Sequence, residues 1–101
     1  MRNNLWAGGY HFRFFARAHM PKGFYDTFAC NRLETARYDM AEYLKATSKL
    51  WGGKKIRVQV FENQEYGSPV VHDGQDTQWD MREIERLLAN NGSKEAENVL
   101  A

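Results

Sequence analysis

Ten residues, Tyr10 to His19, constrain this chain more than any other stretch, because they alternate without a break along Tyr-His-Phe-Arg-Phe-Phe-Ala-Arg-Ala-His. Side chains in a β-strand point to opposite faces in turn, so the pattern sorts into two sides. Tyr10, Phe12, Phe14, Ala16 and Ala18 form an apolar side, and His11, Arg13, Phe15, Arg17 and His19 a cationic, partly aromatic one. A strand of this kind covers a core with one face and presents a binding surface with the other.

The rest of the chain supplies partners for that strand. Met20-Pro21-Lys22-Gly23 has the Pro and Gly of a tight reversal, and Phe24 to Ala29 reads as a second strand closing an antiparallel hairpin. Asn31 with Glu34 three residues on predicts a capped helix running to about Lys49, with Leu33, Ala36, Met40, Tyr43 and Leu44 as its apolar stripe. Gly52-Gly53 after Leu50-Trp51 ends it. Lys54 to Glu62 alternates again, with Ile56, Val58 and Val60 inward and Lys55, Arg57, Gln59 and Phe61 outward. Ser68 to His72 predicts a short fourth strand, placed at an edge by Pro69. Asp76 or Thr77 is then expected to cap a second helix to about Asn90, buried through Met81, Ile84, Leu87 and Leu88.

A shift of 44 residues lays His11–Ala46 over Lys55–Asn90 with strand, turn, strand and helix in step. Each ββα unit alone leaves its apolar face bare, so two are expected to merge. The expected fold is therefore α+β: a four-stranded antiparallel sheet in ββαββα order, both helices on one face, as one domain over residues 1–92 with a short tail at 93–101.

The other face of that sheet collects His11, Arg13, Phe15, Arg17, His19, Tyr25, Thr27, Arg57, Gln59 and Phe61. Phe and Tyr beside Arg suit base stacking or a protein hot spot, since both need flat apolar area next to positive charge. Cover by the N-terminal segment with Trp6, or by a second copy of the chain, would account for the same composition. Trp79 falls about 140° from the stripe of the second helix, counting about 100° per residue, and is expected to stand out as a further anchor.

Charge bears on the choice between those partners. Residues 1–60 carry 11 Lys and Arg against 4 Asp and Glu, while residues 61–101 carry 3 against 9. Such asymmetry gives a basic patch for phosphates or an acidic protein, unless folding brings the halves together and neutralises them.

Nothing points to chemistry. Cys30 with His11, His19 or His72 lacks any recognisable motif, His72-Asp73 fits a turn as well as an oriented imidazole, and Glu83 and Glu85 fit a solvated helix. Metal-ligand pairs of C-x-x-C or H-x-x-x-H type and phosphate loops of G-x-G-x-x-G type are missing, so neither metal nor cofactor is expected. With one cysteine and no apolar run of about 18 residues, a cytoplasmic protein with no membrane partner is expected.

The aromatic-basic hairpin, the helix opening Asn31-Arg32-Leu33-Glu34-Thr35-Ala36-Arg37, and the strand Lys55-Ile56-Arg57-Val58-Gln59-Val60 together resemble the layout of small ββαβ proteins of bacteriophages and mobile elements. These include inhibitors of host polymerases and nucleases and some anti-CRISPR proteins. The resemblance implies a non-catalytic inhibitor or adaptor that binds a larger host protein or nucleoprotein complex. Direct binding of single-stranded nucleic acid and a structural homodimer stand as the alternatives.

Overall fold

The computed structural model describes residues 13–90; Tyr10, His11, Phe12, Trp6 and the expected tail at 93–101 lie outside the described residues. The order is β1 (Phe14–Met20), β2 (Gly23–Asp26), α1 (Leu33–Ala46), α2 (Ser48–Trp51), β3 (Ile56–Glu62), β4 (Val70–Trp79) and α3 (Met81–Ala89). Among the described residues the fold is α+β, with one antiparallel sheet of four strands in the order β2-β1-β3-β4 and three helices. β4 occupies an edge, as Pro69 predicts.

Alternation in β1 and β3 does what it promises. Phe14, Ala16, Ala18, Ile56, Val58 and Val60 are buried in one cluster with Ala36, Met40, Ala41 and Leu44 of α1, Trp51 of α2 and Ile84 of α3. Small alanines on β1 let α1 approach closely, and the fully buried Met40, Leu44 and Ile84 fill the space above them. Each such side chain contributes about 1.5–3 kcal/mol by leaving water.

The helix ends differ from expectation. α1 begins at Leu33, one residue later than an Asn31 cap requires, and Arg32 at its N-cap makes no side-chain capping bond. It stops at Ala46, where the Thr47 hydroxyl bonds back to the Tyr43 carbonyl at 2.7 Å, and a separate turn, α2, follows. Gly52 takes a left-handed φ of 85° there and reverses the chain into β3.

The larger correction concerns β4 and α3. β4 runs to Trp79 instead of stopping at His72, and Asp80, not Asp76 or Thr77, caps α3 by accepting from the Glu83 amide at 2.9 Å. Trp79 is therefore a strand residue paired with Ile56, and it is 3% exposed. Its ring lies under the Arg37 guanidinium, at 5.6 Å, while Arg37 also donates to Glu83 at 3.1 Å and so ties α1 to α3.

β4 is irregular midway. Gln59 faces Asp76 and Phe61 faces Val71, so His72 to Gln75 occupy the space opposite Val60 alone, with Gly74 at a φ of 79° inside this bulge.

Candidate functional site

Residues that alternate with the core positions meet on the opposite face of the sheet. Because directly opposed residues share a face, the register gives two rows. Asp26, Arg17, Gln59 and Asp76 are successive partners across all four strands, and Phe15, Phe61 and Val71 form the next row.

The aromatic row is a built cluster. Phe15 and Phe61 stack with centroids 5.2 Å apart and planes 8° from parallel. The Arg17 guanidinium lies 5.0 Å from Phe61, 5.9 Å from Phe15 and 4.7 Å from Phe24. Phe24 is 64% exposed and takes the edge of His19, its cross-strand partner, at 4.8 Å.

Every arginine on this face is matched by an acid. Arg17 forks onto Asp26 through Nε and Nη2 at 2.8 and 3.0 Å, and Arg57 onto Asp76 at 2.9 and 2.8 Å. Gln59 Nε2 also donates to Asp76, at 3.2 Å, which leaves its Oε1 to accept from His19 Nε2. The Arg57 bonds, foremost, hold the Asp76 carboxyl below its ordinary pKa, and the Asp26 bond raises that of Arg17. Such forked, charge-assisted bonds fix orientation. The face is aromatic and locally neutral, and one of its two pairs, Arg57 with Asp76, joins the basic part of the sequence to the acidic part.

Arg13, Phe15, Arg17, His19, Arg57 and Phe61 were expected on one surface. Phe15, Arg17, His19, Arg57 and Phe61 share it. Arg13 instead reaches Glu62 at 2.6 Å, and Glu62 is the cross-strand partner of buried Phe14. Glu62 also accepts from His72 Nδ1 at 2.9 Å, while the His72 ring meets the Phe14 ring edge-on at 5.4 Å. This bond and then that of Arg13 push the Glu62 pKa down.

Three further expectations are corrected. Tyr25 faces the core side, because it opposes Ala18; it stacks on Tyr43 of α1 with centroids 3.5 Å apart. Thr27 is buried and its hydroxyl accepts from the Ala16 amide at 2.9 Å. Trp79 is sealed in the core, so neither it nor Tyr25 stands on the sheet face. Phe24, Asp26, Asp76 and Val71 take places that sequence reasoning did not assign. A turn with Pro21 and Lys22 at its centre pairs Met20 with Gly23, so odd residues of β1 face even residues of β2. Extending that count from the predicted turn would have exchanged Tyr25 and Thr27 for Phe24 and Asp26.

Among the described residues no group of three His, Cys, Asp or Glu side chains is placed to hold a metal ion, and no helix is long and apolar enough to cross a membrane. The Cys30 thiol donates to the Arg32 carbonyl at 3.3 Å. Compared with known proteins, the chain matches no family model, no curated protein and no solved structure.

Proposed function

We propose that this chain is a non-catalytic interaction protein, an inhibitor or adaptor of the phage or mobile-element type, that docks its sheet face onto a larger host protein. On this reading α1 and α3 roof one face of the sheet and leave the other open. The observation that carries it is the Phe15–Phe61 stack with Arg17 set over both rings and over exposed Phe24. Protein hot spots combine these residue types: flat aromatic anchors and an arginine already held in place, with little side-chain entropy left to lose.

Internal neutralisation favours a protein partner over a strand of nucleic acid on this face. Arg17 and Arg57 are committed to Asp26 and Asp76, and a phosphate would have to compete with carboxylates that already take both prongs of each fork.

The test is capture from bacterial lysate with tagged protein. A discrete partner retained by the native chain, and lost when Phe15→Ala and Phe61→Ala are combined in a variant with unchanged circular dichroism, supports the reading. Equal capture by that variant overturns it. A doubled mass in solution that the same variant abolishes replaces it with self-association.

A further inference from the structure

The arginines of the sheet face are spoken for, yet the protein has cations that are not. Lys22, Lys49, Lys54, Lys55 and Arg82 are all exposed, and among the described residues they make no ion pair. The register places them together. Lys54 and Lys55 immediately precede β3; Trp79 pairs with Ile56, so Arg82 follows β4 at that same end; and Ala18 pairs with Val58, so the β1–β2 turn with Lys22 lies there too. Lys49 belongs to α2, which feeds into the same corner through Gly52, and Gly53 lies against Met81 at the start of α3. Within the corner the Asp80 cap, whose pKa is lowered first by the bond from the Glu83 amide and then by Arg82 and Lys55, is the one carboxylate these cations are seen to share. Among the described residues the other acids without an ion pair, Glu65 and Asp73, lie away from this end: Glu65 beyond the far end of β3, and Asp73 in the bulge opposite Val60. The sheet thus has a charged axis along β3.

We infer that this lysine end is a contact site for the phosphate backbone of a nucleic acid, separate from the sheet face and independent of its proposed role. The cations there are four lysines and one arginine. Compact ammonium groups on flexible stems meet phosphate oxygens as point charges and need no fixed bidentate geometry, so a corner of lysines can follow a backbone of regularly spaced negative charges. Leu50, 63% exposed, stands beside Lys49, but a single leucine is too little apolar area to seat in a lipid interface. Backbone contacts carry no sequence information, so binding is indifferent to base order. After Asp80 is discounted, the corner engages about four phosphates, and its affinity falls about a hundredfold between about 50 and about 200 mM salt.

Fluorescence anisotropy with two labelled duplexes of unrelated sequence tests this. The full chain binds both equally at low salt and loses them steeply as salt rises. The combined Lys49→Gln, Lys54→Gln and Lys55→Gln variant weakens binding at least about tenfold, while the Phe15→Ala and Phe61→Ala variant keeps it. Absence of binding at low salt, equal binding by the lysine variant, or tighter binding to polyglutamate or to phosphatidylserine vesicles than to the duplexes overturns the inference. Loss of lysate capture by the aromatic variant alone bears on the sheet face and leaves this result untouched.

Discussion

Phe15 and Phe61 stack almost parallel across the β1–β3 pair, and Arg17 reaches over them from the adjacent row while its charge is spent on Asp26. The sheet face therefore combines aromatic area with guanidinium groups but carries little net charge. Partner capture through this face should be nearly insensitive to salt. Repeating the capture at about 50 and about 500 mM salt should change the retained fraction little, because the fields of paired charges cancel within a Debye length.

Trp79 is expected to behave as a core residue. Trp79→Ala should cost about 3–5 kcal/mol in urea unfolding, whereas Phe24→Ala, at an exposed position, should stay within about 0.5 kcal/mol. A small effect at Trp79 would contradict its burial against Ile56 and Arg37.

Thr27 offers a sharper test of the β1–β2 register. Its hydroxyl accepts from the buried Ala16 amide, and Thr27→Val keeps the shape but orphans that donor. A loss of about 1–3 kcal/mol is expected, against less for Thr27→Ser, which retains the acceptor.

Asp80→Ala should destabilise the protein by about 1 kcal/mol by removing the bond to the Glu83 amide. Asp76→Ala should leave α3 intact, since Asp76 lies in β4 and binds Arg57. Circular dichroism of the two variants separates them.

Acid should loosen the far end of the sheet. Glu62 has a folded pKa below its ordinary value, first through His72 and then through Arg13. Its contribution is thus complete above the unfolded carboxylate pKa and is lost as pH falls through the folded one. Urea midpoints measured down through the carboxylate range should fall less for Glu62→Gln than for the native chain.

Much of this architecture was legible in the residues. Period-two alternation identified the buried sides of β1 and β3, because a strand with one buried face tolerates no slip. The helical stripes located Met40, Leu44 and Ile84 for the same kind of reason. Trp79 misled because Asp76-Thr77 imitates a helix cap, and the true cap, Asp80 with Glu83, sits four residues later; a short helix gives too few turns to fix its own start. Tyr25 misled by a single step of register. Asp26, the partner of Arg17, was lost with the same step of hairpin register, and Asp76, the partner of Arg57, was hidden because β4 was expected to stop at His72 and Asp76 to cap a helix.

The bulge opposite Val60 also bears on how copies of the chain treat one another. A ten-residue border strand with Val70 and Val71 exposed would otherwise offer its backbone as a template for open-ended lateral growth. Interrupted at His72–Gln75 and turned by Gly74, it has no straight run long enough to seed a ribbon. The irregularity is expected to disfavour edge-to-edge growth, and straightening it by deletion should open a route to fibres.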